Sequence, residues 1–353
     1  MTRIGNSFQQ LDLGIPVVQA PMAGVSTPEM AAAVTNAGGL GSIAVGASTV
    51  DDARAQIQRV KALSSGVFNV NVFCHKPALR DPIKEQKWLD TLKPEFARFG
   101  ASAPNDLSEI YQTFLTNDAM HTMLLEECPR VISFHFGLPR PDQLDAIKNR
   151  GIMTFATATN PKEALEIEAA GIDVIVAQGW EAGGHRGCFD ENSFDSKLGT
   201  LALTRILTQS VSIPVIAAGG IMDGSGIRAA LGLGAVAAQL GTAFVTCDES
   251  KADATYRARF TGESASSTVM TRAISGRPAR CLANKFTAWA ESRSDGEVPD
   301  YPVTYDAGKA LNSAAKAQNE HGFGAQWAGQ GAPLARPMTT AKLMQTLATE
   351  LAG

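Results

Sequence analysis

These 353 residues predict an α/β chain built as a (β/α)8 TIM barrel, with a helical cap inserted after strand 3 and a C-terminal extension. Two observations carry this expectation. Eight short apolar runs, rich in Val, Ile and Ala, recur along the first two-thirds of the chain, and helical patterns separate most of them. The runs are apolar at consecutive positions, which is how strands buried on both faces of a parallel sheet read. Eight such strands with intervening helices suit a closed barrel better than an open doubly wound sheet. The length alone would also admit two domains.

The first run, IPVVQAP (15–21), leads into TPEMAAAVTNAGG, where Thr27 suits an N-cap, Pro28 the first helical position and Gly38 the stop. LGSIAVG (40–46) precedes the charged, periodic DDARAQIQRVKAL, and FNVNVF (68–73) is the third run. VISFHFG (131–137) is followed by RPDQLDAIKNRG, and IMTFATAT (152–159) by NPKEALEIEAAG. DVIVAQG (173–179) runs straight into GWEAGGHRG (179–187). IPVIAAGG (213–220) precedes DGSGIRAALGLG, and AVAAQLGTAF (235–244) is the eighth run. Residues 75–130 are too long for one crossover helix, so extra helices capping the barrel mouth are expected there. The division this implies is a barrel from 1–74 and 131–245, a cap over 75–130, and an extension over 246–353 that packs on the barrel and returns segments to the active site.

Composition narrows the class. With 44% hydrophobic and 19% charged residues the chain is ordinary globular material. A formal net charge of -4, with no basic run, argues against a nucleic-acid surface. The opening MTRIGNSFQQLDLG lacks the pattern of a signal peptide, and no run is long enough for a membrane helix. Five cysteines, scattered and without a CxxC, fit a reducing cytoplasm better than a disulfide framework.

Barrel enzymes place their chemistry at the C-terminal ends of the strands. Strand 1 ends in Ala20, Pro21, Met22 and Ala23; strand 3 carries Asn71, Cys74 and His75; strand 4 carries His135. Strand 6 ends in Gln178 and the glycine-rich loop with Gly183, Gly184 and His185. Strand 7 ends in Gly219 and Gly220, and strand 8 in Gln239, Gly241 and Thr242. Loops after strands 7 and 8 form the common phosphate site of such barrels, and bare glycine amides with a threonine hydroxyl favour an anion there. The alternative is that these glycines only make tight turns. Asn71 and Gln178 offer amides with both donor and acceptor, which suits the mixed edge of a flavin ring. Gly232, Gly234 and Ala237 loosely mimic a dinucleotide motif, but they end a helix and enter a strand, the wrong order for it. Cys74, His75, His135 and His185 lack any local ligand spacing, so no metal is expected.

QAPMAGVSTPEMAAAVTNAGGLGS, NVNVFCH, SFHFGLP, GWEAGGHRG, IPVIAAGGI and QLGTAF, in this order over roughly residues 15–245, resemble the class I nitronate monooxygenases, formerly called 2-nitropropane dioxygenases. AGGH alone is shared by related flavin barrels, the NAD(P)H:quinone reductases and enoyl-acyl-carrier-protein reductases, which stand as the alternative. NVNVFCH and SFHFG narrow the choice. The resemblance implies a cytoplasmic enzyme that binds FMN and oxidises alkyl nitronates, propionate 3-nitronate among them, with O2 to a carbonyl product and nitrite or nitrate. That is a detoxification. It places FMN against Asn71, Gln178, Gly183, Gly184, Gly219, Gly220, Gln239, Gly241 and Thr242, with Ala20, Pro21, Met22 and Ala23 beneath the ring. It makes His185 the catalytic histidine. His135 reads equally as a buried barrel histidine or a substrate contact. In DYPVTYDAGKALNSAAK, Tyr301, Tyr305 and Lys309 read as a surface helix or, by the resemblance, as substrate contacts. No nucleic-acid or membrane partner is expected, and a homodimer is left open.

Overall fold

The computed structural model describes residues 6–353; residues 1–5, which open the stretch read for a signal peptide, lie outside them. Strands are numbered in chain order. β1 (Val17–Gln19), β2 (Gly41–Ala44), β3 (Phe68–Phe73), β4 (Val131–His135), β5 (Met153–Ala158) and β6 (Val174–Gln178) belong to the barrel. β7 (Gly184–His185) is a two-residue strand outside it, and β8 (Val215–Ala218) and β9 (Ala237–Leu240) complete the ring. All eight barrel strands run parallel, each beside its neighbour in the chain, and β9 returns to β1 with Gln239 opposite Val18. The ring closes where Val18 bridges Leu40 ahead of β2, with Leu40 N–H donating to Val17 O at 2.9 Å. Among the described residues, the barrel-strand positions not fully buried are Ala44, Phe73, His135 and Gln239, each the last or next-to-last of its strand. The barrel therefore opens at the end where sites belong.

α1 (Asn6–Gln9) stoppers the other end: Phe8 packs in the inner cluster with Val18, Val131, Phe155 and Ile216. α2 (Pro28–Asn36) starts as its sequence predicts, with Thr27 Oγ1 accepting from Met30 N–H at 3.0 Å and Pro28 in the first turn. α3 (Val50–Leu63) follows β2 on the outer face.

The long third unit splits in two. α4 (Pro82–Arg98) packs on later parts of the chain, whereas α5 (Asp118–Glu127) lies beside α3 and α6 (Pro141–Asn149) as an ordinary barrel helix. α7 (Pro161–Ala169), α8 (Thr200–Ser210) and α9 (Gly224–Gly232) continue the outer layer, and α10 (Thr242–Val245) is a single short turn after β9. α11 (Ala254–Ala258), β10 (Thr268–Thr271), β11 (Ala279–Leu282) and α12 (Lys285–Ala290) lead to α13 (Val303–Ala317), which packs against α4 through Trp88, Leu92, Phe96 and Leu311. α14 (Thr340–Ala352) then docks between α9 and α2, burying Leu343, Met344 and Leu347. The last helix of the chain thus fills the place that follows β9 in the ring.

Candidate active site

A cavity of about 430 Å³ opens at the C-terminal ends of the barrel strands. Every residue singled out above as a cofactor, substrate or catalytic candidate borders it: the strand 1 loop Ala20–Ala23, Asn71, His135, Gln178, Gly183, Gly184, His185, Gly219, Gly220, Gln239, Gly241, Thr242, Tyr301, Tyr305 and Lys309. His75, Cys74, Cys188 and Arg186 are buried behind its walls.

The backbone of His185 is held from three sides. β7 pairs antiparallel with β11, placing Ala279 opposite His185. The His185 carbonyl accepts from Gln178 Nε2 at 3.0 Å and from His135 Nε2 at 3.3 Å. Gln178 Oε1 in turn accepts from Gly187 N–H at 2.8 Å, so one amide clamps both sides of the loop. Because a carbonyl only accepts, His135 carries its proton on Nε2, and its Nδ1 takes the Thr157 hydroxyl proton at 3.0 Å. His135 is thereby a support for the loop.

The His185 ring stands against Tyr301, Trp327, Phe136 and Tyr305, with centroids 5.0–6.1 Å away. Desolvation by these neighbours pushes its pKa down to about 3, helped by repulsion from His135 and Arg277. At neutral pH the imidazole is uncharged, with one ring nitrogen unprotonated. Burial likewise lowers His135 to about 4.

Phe136 organises this wall. It holds φ +73°, unusual for a side chain of its size, and Gly137 follows at φ +139°. Its ring meets Phe73, His135 and Tyr301, and the Arg277 guanidinium lies 4.4 Å above it. Strained residues of this kind persist where packing over-determines them, commonly at functional sites.

The glycines of GWEAGGHRG have protein neighbours. A Cβ on Gly183 would meet Gly329 N at 2.4 Å and Ala328 C at 2.5 Å; one on Gly187 would meet His135 Cε1 at 2.6 Å; one on Gly179 would meet Thr200 Oγ1 at 2.1 Å. Gly184 holds φ +74°. The loop surrendered side chains so that β4, α8 and the C-terminal segment could close on it. The same loop's Glu181 caps α8, its carboxylate accepting Thr200 N–H at 2.8 and 3.0 Å. Arg186 forms a two-point pair with Asp195, at 2.8 and 3.1 Å, and is fully buried.

Across the mouth, Gly219 and Gly220 hold φ +123° and +69°, leaving bare backbone at the cavity edge. Thr242 Oγ1 accepts from Gly329 N–H at 2.9 Å, which leaves the hydroxyl proton to donate. Asn71 uses both amide hydrogens on Ser133, at 2.8 and 3.1 Å, so only its carbonyl oxygen remains for a ligand.

The C-terminal part supplies the outer wall. Tyr301 and Tyr305 are packed against His185, and burial raises both phenol pKa values. Lys309 Nζ lies 4.8 Å from the Tyr111 ring and 5.3 Å from the Tyr305 ring, and among the described residues it forms no ion pair. Sequence reasoning missed Tyr111, Ser275, Arg277 and Trp327. They sit outside the strand ends and carry no motif, so only the tertiary fold brings Tyr111 and Trp327 to the cavity and buries Ser275 and Arg277 behind His185 and Phe136. Among the described residues, no three His, Cys, Asp or Glu side chains cluster as a metal site. No helix is long and apolar enough to cross a membrane.

A closed parallel barrel with a deep mixed cavity at its C-terminal mouth, walled by a neutral histidine and bare loop backbone, defines an enzyme acting on small molecules. The nitronate monooxygenase family profile matches residues 8–350. The nitronate monooxygenase of Paraburkholderia phytofirmans is 57% identical over 341 residues, which cover 96% of this chain and 93% of the relative. That of Pseudomonas aeruginosa is 54% identical over 97% of this chain and 98% of its own. Among solved structures, nitroalkane oxidase from Streptomyces ansochromogenes matches with a TM-score of 0.90 at 39% identity, covering 98% of this chain and 97% of that one. FabK from Thermotoga maritima matches with a TM-score of 0.74 at 28% identity, covering 100% and 97%. The chain belongs to the nitronate monooxygenase family and is an oxidoreductase.

Proposed function

We propose that this enzyme binds FMN and oxidises alkyl nitronates with O2, with propionate 3-nitronate as the substrate its cavity suits, and that it serves detoxification in the cytoplasm. One observation carries the reading: an uncharged His185 and the Lys309 cation, which forms no ion pair among the described residues, border the same cavity, joined by Tyr305. A substrate with a carboxylate at one end and a nitronate at the other offers one group to each of them.

The residues fit FMN. Bare backbone at Gly219, Gly220 and Gly241, with the Thr242 hydroxyl free to donate, supports a phosphate. The Asn71 carbonyl oxygen and the Gln239 amide support the ring's polar edge. A single phosphate site, with no strand–GxGxxG–helix unit, favours FMN over FAD. When bound, FMN supplies the electron acceptor for the nitronate, and O2 completes the oxidation to a carbonyl product and nitrite or nitrate.

The chain's own groups do the rest. Lys309 holds the substrate carboxylate by a charge-assisted hydrogen bond. Tyr301, Trp327 and Phe136 exclude water around the reacting end. His185, uncharged, takes a carbon-bound proton when the substrate arrives as a neutral nitroalkane, and donates no charge to a nitronate that has already lost it.

Two measurements test the reading. Flavin released by heat and chromatographed should be FMN. Anaerobic mixing with propionate 3-nitronate should bleach the flavin spectrum, whereas NADH should do so poorly. Rapid bleaching by NADH, with no oxygen uptake on nitronate, would move the chain to the quinone or enoyl reductases.

A further inference from the structure

The ring of His185 has one partner whose donor and acceptor roles can be worked out atom by atom. His185 Nε2 lies 2.9 Å from Ser275 Oγ. Ser275 Oγ also lies 3.2 Å from the carbonyl oxygen of Arg277. Ser275 is fully buried. It belongs to the turn between β10 and β11, where Ser275 N–H bonds Arg272 O, so its position is set by the same hairpin that carries the partner strand of β7.

A serine hydroxyl has one proton. A carbonyl oxygen cannot donate, so the proton between Ser275 and Arg277 must come from Ser275. While that bond is kept, the hydroxyl has only lone pairs to offer His185, and Nε2 carries the hydrogen. The opposite assignment would send the Ser275 proton to Nε2, strip the Arg277 carbonyl of this bond, and require Nδ1–H to find an acceptor. Among the described residues Nδ1 has no hydrogen-bond partner, and it is not among the buried polar atoms left without one. It therefore meets the cavity that His185 lines.

We propose that Ser275 is a positioning residue that fixes the tautomer of His185, holding the proton on Nε2 and presenting an unprotonated Nδ1 to the substrate. The inference rests on the reading of His185 as proton acceptor given above. It follows the general logic by which a third group orients a catalytic imidazole and selects its tautomer. Here that group is a hydroxyl with its own proton committed to the backbone. No charge is brought to the histidine, which keeps it uncharged in its desolvated wall. Without Ser275 the two tautomers compete, and the ring loses the bond that sets its angle.

The test uses the flavin-loaded full chain with nitrogen-15 histidine. The protein has five histidines, and the His185→Asn spectrum assigns the one that matters. The wild type should show a protonated Nε2 and a bare, pyridine-type Nδ1 for His185. Ser275→Ala should show both tautomers and lower the rate with a neutral nitroalkane about 10–100-fold, the usual scale for losing an orienting partner. Ser275→Thr, which keeps the hydroxyl, should restore the Nε2–H form and most of the rate. A wild-type spectrum with the proton on Nδ1 overturns the proposal even if Ser275→Ala does not fold. An unchanged tautomer in Ser275→Ala overturns it too. If Ser275→Ala scrambles the tautomer yet turns over nitroalkanes at the wild-type rate, the role of Ser275 stands and the role of His185 as base falls.

Discussion

A histidine that stays uncharged and a lysine that stays charged divide the cavity between them, and each can be removed alone. Replacing His185 with Asn keeps some hydrogen bonding and removes the base. General bases contribute about 10²–10⁴-fold, so a loss on that scale is expected with any neutral nitroalkane the wild type accepts, and a smaller one with the matching nitronate. Oxygen uptake on both substrate forms measures it. Equal losses, with flavin retained, would show that His185 holds the nitro group and moves no proton. Lys309→Met should raise KM for propionate 3-nitronate about 10–100-fold, the scale of one charge-assisted hydrogen bond, and leave KM for an uncharged alkyl nitronate nearly unchanged. Burial lowers the Lys309 pKa from its ordinary 10.5. The wild-type KM for the carboxylate substrate should therefore climb with rising pH before a free lysine would titrate. A KM flat across the alkaline range would separate Lys309 from the carboxylate.

At the scale of elements, the loop after β6 is a joint and not a free flap. β11 pairs with β7 on one side, and the segment around Gly329 closes on the other: Gln330 N–H bonds Glu181 O at 2.9 Å. The joint needs Gly183, because the atoms a side chain would strike are backbone atoms that cannot swing away. Gly183→Ala should destabilise the fold by about 1–3 kcal/mol as an overpacked site. It should also weaken flavin binding, since Gly329 N–H is the partner that orients the Thr242 hydroxyl. Gly232→Ala is the control: nothing lies within 4 Å of its added carbon. Thermal melts and flavin titrations of the two variants distinguish them. Equal behaviour would mean that the C-terminal segment does not bear on the loop.

At the scale of the molecule, three histidines packed around one buried arginine set how the protein responds to acid. Burial, with Arg277 adding repulsion, lowers His75 and His135 to about 4, and His185 to about 3. Unfolded, each would titrate near 6.5. Between these values the unfolded chain binds protons that the folded one refuses, so stability is full above about pH 6.5 and falls as the pH drops. One histidine contributes at most about 1.4 kcal/mol per pH unit in that window, and three contribute at most about 4 kcal/mol. Calorimetry from pH 7.5 to 5 should show a falling Tm with uptake of up to three protons on unfolding. A Tm unchanged over that range would place these side chains in a wetter setting than the fold gives them.

The strands, their order and the mouth they open on are local properties, and the chain spells them out. Consecutive apolar positions mark strands buried on both faces, Thr27 and Pro28 mark the start of α2, and glycines mark the turns where strands end. The candidates taken from strand ends meet at one cavity because a parallel barrel gathers all such ends on one side. The sequence did not reveal what the glycines of GWEAGGHRG face, since a glycine signals that something comes close and not what it is. Nor did it reveal that α14 completes the ring, or that Ser275, Arg277 and Trp327 back onto His185. Those contacts join residues from about 90 to more than 300 positions apart in the chain, and no periodicity reaches so far. Pairing of the β10–β11 hairpin with β7 brings Ser275 to His185, while Phe136 after β4 and Tyr301, Tyr305 and Trp327 from the C-terminal part complete the buried wall that keeps the ring uncharged.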